Sequence, residues 1–275
     1  MPAIHMTSDA DRRLGKALFE AVSRERNFTK VERLLDQGAD PNYGLQSGDH
    51  VTDDFNGWTP LAAAAVHNLL EIATLLLQRG ANVDKHDGKH RWTPLMRASD
   101  KGHERMVHLL VDFGANIDLQ DTDGWTALFW AVSHNQIADS PRSSAICKYL
   151  IDKGASLELK DKTGSTALMY SVLNGHIEAI EYFGNSTINL ANNAKWTPIM
   201  FSCQNGDPHI TRLLLDMGAE VNRETITGVT PLIAAALKAD FRSVQMLVES
   251  GANVNASAAD GWTALFSACQ LGTPP

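Results

Sequence analysis

Trp92-Thr93-Pro94-Leu95 returns 33 residues later as Trp125-Thr126-Ala127-Leu128, and the two belong to a longer series. Outward from them lie Trp58-Thr59-Pro60-Leu61 on one side and Ser165-Thr166-Ala167-Leu168, Trp196-Thr197-Pro198-Ile199, Val229-Thr230-Pro231-Leu232 and Trp262-Thr263-Ala264-Leu265 on the other. The successive offsets are 34, 33, 40, 31, 33 and 33. A second series, Gly-Ala beginning at 38, 80, 114, 154, 218 and 251, keeps step with the first. Each pair closes a leucine-rich run such as Leu75-Leu76-Leu77 or Leu213-Leu214-Leu215. Two registers locked to one period read as a stacked repeat.

Each piece of the unit has a mechanical reading. Thr-Pro suits a helix start, because Thr accepts a hydrogen bond from an orphan amide and Pro has no amide to satisfy at the first helical position. About ten residues later Gly102-His103 or Gly175-His176 breaks this inner helix before an outer one, and Gly114 or Gly218 supplies the left-handed residue that ends the outer helix. Between units runs a polar stretch such as Asn116-Ile117-Asp118 to Asp123-Gly124, whose Asp-Gly dipeptide marks a tight hairpin-like turn. The expected fold class is therefore all-α, a solenoid of helix-turn-helix units joined by hairpin-like loops.

These motifs resemble the ankyrin repeat, a unit of about 33 residues carrying D-x-x-G-x-T-P-L-H-x-A-A, then G-H, then L-L-x-x-G-A-x-x-N. The resemblance covers nearly the whole chain, from Ala10 to about Gly272. The family's His after Thr-Pro-Leu is replaced by Ala62, Met96, Phe129, Met169, Met200, Ile233 and Phe266, exchanging a turn hydrogen bond for apolar packing. The resemblance implies a groove formed by hairpin tips and inner helices, with outer helices behind. The expected organisation is a flexible N-terminus (1–9) and one ankyrin-repeat domain (10–275). That domain is read as a degenerate repeat (10–43), an insertion loop (43–55), six full repeats (54–257) and a half-repeat (258–275), with a second insertion at 136–142. Because a solenoid end normally carries a polar cap, the natural chain is expected to continue.

Composition sets the limits on function. The 275 residues are 44% hydrophobic, enough for a core, and 24 Lys and Arg against 32 Asp and Glu leave a net charge of −8 that disfavours nucleic acid as the main ligand. Cys147, Cys203 and Cys269 are too few and scattered for a disulfide framework, which fits a reducing compartment; the expectation is cytoplasmic, with the nucleus as the alternative. No apolar run is long enough to cross a membrane. His103 and His108 come near a zinc-protease motif, but five residues turn a helix by about 500°, leaving them about 140° apart around the axis. Cys203 and Cys269 share the repeat position of Ala65 and read as small core residues. Neither catalytic residues, a metal site nor a cofactor is expected.

Binding residues are easier to nominate. Trp58, Trp92, Trp125, Trp196 and Trp262 occupy one repeat position, and the family architecture implies that they line the groove, either fixing repeat stacking or anchoring a partner. In the second full repeat Lys89, His90, Arg91, Trp92, Arg97 and Lys101 form a positive strip, with Lys85 and His86 on the same hairpin; Arg97 and Lys101, four apart, share a helix face. The expected partner is another protein, an extended or helical segment with apolar residues and acidic or phosphorylated ones. Trp125 and Trp130 are also similar to the ankyrin repeats of histone-lysine methyltransferases that read methylated lysine, which implies a cage with Tyr170, Ser133 standing where the family has Glu. A regulatory arm of a larger enzyme is the third reading. Finally, Leu214, Glu220 and Asn222, and likewise Leu34, Asp40 and Asn42, resemble the pattern of substrates of an asparaginyl hydroxylase, implying modification of Asn222 and Asn42.

Overall fold

Threonine starts the inner helices. Thr59, Thr93 and Thr230 are extended, and their hydroxyl oxygens accept from the amides of Ala62, Met96 and Ile233 at 3.1, 3.2 and 3.3 Å. Pro60, Pro94 and Pro231 follow at the first helical position, where a missing amide costs nothing. These starts stay capped without the family's His. Of the seven residues that replace it, Ala62, Met96, Phe129, Met169, Met200 and Ile233 are buried and Phe266 is exposed.

The computed structural model describes residues 9–46, 56–133 and 141–271. Residues 1–8, most of the 43–55 insertion and most of the 136–142 insertion lie outside them, as do residues 272–275. Among the described residues there are fifteen α-helices and no strand, only an isolated bridge between Ser257 and Thr263. The chain divides into two compact units, 1–131 and 132–275.

In the first unit α1 (Asp9–Glu20) runs into a π-helical turn (Ala21–Glu25), followed by α2 (Phe28–Asp36). Inner and outer helices then alternate as α3 (Pro60–Val66), α4 (Leu70–Gln78), α5 (Pro94–Asp100) and α6 (Glu104–Asp112), and α7 (Ala127–Val132) comes last. Helix α3 stacks on α5, while α2, α4 and α6 form the outer row. In the second unit α8 (Pro141–Asp152) precedes the pairs α9 (Ala167–Leu173) with α10 (Ile177–Tyr182), α11 (Pro198–Asn205) with α12 (Pro208–Asp216) and α13 (Pro231–Leu237) with α14 (Phe241–Glu249). Helix α15 (Ala264–Leu271) follows, and α9, α11, α13 and α15 stack in turn.

The core repeats with the sequence. Leu61, Leu95, Leu128, Leu168, Ile199 and Leu232, one residue per repeat, are at most 3% exposed, each contributing about 1.5–3 kcal/mol. Gly114, at φ 84° past the end of α6, takes the left-handed conformation that lets Ala115 donate back to Leu110. Neighbouring units are also clamped by asparagine. The amide of Asn222 donates to Gly251 O at 3.0 Å while its carbonyl accepts from Asn253 N at 2.8 Å. Asn42 makes the same pair of bonds to Gly80 and Asn82, and Asn189 to Gly218 and Glu220. Asp84, which has no amide to donate, keeps only the second bond, from Asn116 N.

Candidate interaction surface

The basic strip and the tryptophan column meet at Arg97. Its position on α5 turns the side chain into the stack of indoles: the guanidinium carbon lies 3.5 Å from the Trp58 ring centre and 5.2 Å from that of Trp92. Asp87, on the hairpin before the helix, pairs with it at 2.5 Å. Both side chains are buried, at 7% and 1% exposure. Burial lowers the Arg97 pKa to about 10, the Asp87 charge and hydrogen bond opposing the shift, so the cation persists at neutral pH. Arg97 is therefore placed as a bridge inside the ladder, with its charge already matched, and does not share an exposed face with Lys101. Lys101 is exposed and pairs with Asp100 at 3.0 Å.

From Trp92 the ladder continues. The Trp92 and Trp130 ring centres are 4.0 Å apart, those of Trp130 and Trp125 4.7 Å, and Trp125 also meets Phe129 at 5.9 Å. Trp58, Trp92, Trp125 and Trp130 are all half-buried. Lys89, His90 and Arg91 are all exposed on the hairpin tip. His90 N donates to the Asp87 carboxylate at 2.7 Å, so the acid that holds Arg97 also shapes this turn. Lys85 is tied down, its ammonium donating to Asn42 O at 2.8 Å.

Of the three groups named for a methyl-lysine cage, Trp130 and Tyr170 each donate to a hairpin acid. Trp130 sits between Trp92 and Trp125 and its indole N–H donates to Asp121 at 3.1 Å. The Tyr170 hydroxyl donates to Asp161 at 2.7 Å. The Trp125 and Trp130 rings are tilted by 53° to each other, as are those of Trp92 and Trp130. Asn222 is exposed and Asn42 half-buried, each with its amide engaged in the clamp described above.

Among the described residues no three His, Cys, Asp or Glu are grouped to hold a metal ion. His103 faces Val66 O at 2.9 Å, in the inter-helix turn. Burial pushes the thiols of Cys147 and Cys203 up to about 12, far from nucleophilic thiolates. Cys203 is buried as its repeat position predicts, but Cys269 is exposed, because no outer helix covers α15 among the described residues. No helix there is long and apolar enough to cross a membrane.

The sequence profile described as "Ankyrin repeats (3 copies)" matches residues 4–87, 85–140, 136–225 and 183–258. The chain belongs to the ankyrin repeat family. Its fold is similar to the ankyrin repeat domain of Bcl-3, a member of the IkappaB family, at 27% identity and TM-score 0.67, covering 76% of this chain and 93% of that one. It is similar also to the human ASB11 ankyrin repeat domain, at 25% identity and TM-score 0.66, covering 79% and 99%. No curated protein matches its sequence. Ankyrin repeats are protein–protein interaction modules and generally non-catalytic.

Within the ankyrin frame, the sequence reading overlooked the acid at the head of three hairpins, Asp87, Asp121 and Asp161. Asp121 accepts from the amides of Asp123 and Trp125, and Asp161 from those of Thr163 and Ser165, which closes the turn. The other oxygen then takes a donor from the inner helix: Trp130 on Asp121, Tyr170 on Asp161, and at the corresponding place Arg97 on Asp87. The signal was available, since Arg97, Trp130 and Tyr170 each lie five residues after the Trp92, Trp125 or Ser165 position. They are the three residues with a long donor at that point of the repeat.

Proposed function

We propose that this ankyrin-repeat protein binds a segment of another protein across the hairpin tips and inner helices of its first unit. Lys89, His90 and Arg91 would meet acidic or phosphorylated residues there, and Trp58, Trp92, Trp125 and Trp130 apolar ones. The observation that carries this reading is the rigid indole ladder beside an exposed basic tip on a protein of net charge −8. Buried aromatic anchors with a charged rim are the anatomy of a protein interface. Because Arg97 is internally matched by Asp87, the charge offered to a partner comes from the tip.

A peptide array varied in acidic and phosphorylated content tests the reading. Acidic peptides with an aromatic or aliphatic residue should be retained. The double variant Lys89→Glu/Arg91→Glu should weaken them at least about tenfold and flatten the salt dependence. Trp92→Phe, which keeps the ladder filled, should leave the helical circular dichroism intact while reducing affinity. Retention indifferent to peptide charge, or unchanged in the tip variant, would overturn the proposal.

A further inference from the structure

The turn before α2 carries a pattern that the groove does not use, Arg24-Glu25-Arg26-Asn27-Phe28-Thr29. Of the thirteen arginines in the chain, Arg26 alone has a Ser or Thr three residues on, and Arg24 stands five residues before that same Thr29. Two apart, the arginines fall on one side of the chain when it is extended. Charge patterns of this kind are what protein kinases read in their substrates.

The structure presents the whole segment to solvent. Every residue from Arg24 to Thr29 is exposed. Arg26 takes the left-handed conformation, at φ 51°, between the π-helical turn and α2, and its guanidinium faces Nδ1 of His67 at 3.4 Å, not a carboxylate. To lie extended in a kinase cleft, the segment gives up the bond from Lys30 N to the Asn27 side chain and the Lys30–Glu25 ion pair, both at the surface. No core side chain is drawn out between Arg24 and Thr29. The first buried one, Val31, comes two residues later.

The surroundings of Thr29 also suit the product. Thr29 is the second residue of α2, so a phosphate on it lies at the positive end of the helix dipole. Asn27, Thr29, Lys30 and Arg33 line one cavity of about 220 Å³, which puts an ammonium and a guanidinium beside the modified side chain. Of the acids on this stretch, Glu25 pairs with Lys30 at 2.5 Å and would yield it to the more highly charged phosphate, while Glu32 lines a different cavity with Phe28.

We propose that Thr29 is a phosphorylation site for an arginine-directed serine/threonine kinase, and that the phosphate docks on Lys30 and Arg33. In the transfer the Thr29 hydroxyl oxygen bonds to the γ-phosphorus of ATP. The bond from that phosphorus to the β,γ-bridging oxygen breaks, ADP leaves with its electron pair, and the hydroxyl proton passes to the kinase's catalytic aspartate. The modification places a group of about −1.5 to −2 charge on the outer row of the first unit. It is independent of the basic tip in the groove, and either can fail without the other.

The test uses the full 275-residue chain, ATP and a purified serine/threonine kinase selective for arginine three and five residues before the acceptor. Mass spectrometry should find one phosphoryl group, on Thr29. Thr29→Val should accept none, and the double variant Arg24→Gln/Arg26→Asn, whose Asn tolerates the left-handed turn, should react at least about tenfold more slowly with its circular dichroism unchanged. A synthetic peptide of residues 22–33 serves as the unfolded reference. Phosphorylation of the peptide but not of the chain would show that the fold withholds Thr29 and would overturn the proposal, as would equal rates for the chain and its arginine variant. Docking has its own readout: phosphorylation should slow hydrogen exchange at the amides of α2 by about threefold, and Arg33→Gln should remove most of that slowing. Exchange unchanged by the phosphate would overturn the docking on Lys30 and Arg33.

Discussion

At the scale of single residues the chemistry turns on hairpin acids. Asp87 neutralises a guanidinium that sits 3.5 Å from an indole centre with its Nε lacking a hydrogen-bond partner. Removing the acid alone strands a buried charge. Asp87→Ala should therefore destabilise the protein by about 3–5 kcal/mol in urea unfolding, while Asp87→Asn with Arg97→Met, which replaces the pair by neutral groups of similar volume, should lose far less. Equal losses in the two variants would show that stranding the guanidinium charge is not what makes Asp87→Ala costly. Asp161 offers a pH counterpart. Burial works to raise its pKa, but hydrogen bonds from Thr163, Tyr170 and Ser165 outweigh it and hold the carboxyl below its ordinary value. A carboxyl depressed in the folded state adds stability above its unfolded pKa and loses it as pH falls through the folded one. Tyr170→Phe, deleting one of those bonds, should raise the Asp161 pKa in a carbon-detected NMR titration. It should also reduce stability at neutral pH by about 1 kcal/mol, a difference that vanishes in acid below both pKa values.

Among the helices, identical starts in the sequence are unequal in the structure. Thr93 caps α5 by accepting from Met96 N, whereas the buried hydroxyls of Thr166 and Thr197 at the starts of α9 and α11 have no hydrogen-bond partner. Thr93→Ala should cost about 1 kcal/mol of thermal stability, and Thr197→Ala close to nothing, since an alanine there removes a polar atom that burial left unsatisfied. Similar losses in both would mean that the threonine methyl, common to the two sites, carries the effect. The repeat pattern made the helix starts, the glycine ends and the inner-outer alternation legible, because each rests on a local rule of backbone geometry. It could not say which threonine hydroxyl finds its amide, since the same Thr residue stands at starts that are capped and starts that are not.

Across the whole molecule, stability is a sum over units and the joints between them. Asn222 is one such joint, bonded to both Gly251 and Asn253 of the following unit. Asn222→Ala should cut the coupling of the last units, so that hydrogen exchange at amides of α14 and α15 speeds up while that of α9 stays unchanged. Uniform acceleration throughout would instead point to global destabilisation. The tryptophan column and the positive strip were also visible as sequence patterns, but their meaning changed on folding. Arg97 and Lys101, four residues apart on paper, end in opposite surroundings: one buried against Asp87, the other exposed beside Asp100.

The sequence by itself determined the repeat, its period, the helical class and the ankyrin family, because these follow from short-range rules restated every 33 residues or so: a threonine that caps, a proline that lacks an amide, a glycine that turns left-handed. Only the tertiary structure decided which members of a repeated position stay available. Leu232 and Leu265 occupy the same position of the unit, and Cys203 and Cys269 likewise, yet the first of each pair is buried and the second exposed. The reason is physical: in a solenoid each residue is covered by its neighbours in the stack. A pattern that assigns a residue its place within one unit therefore carries no information about what lies beyond that unit's edge.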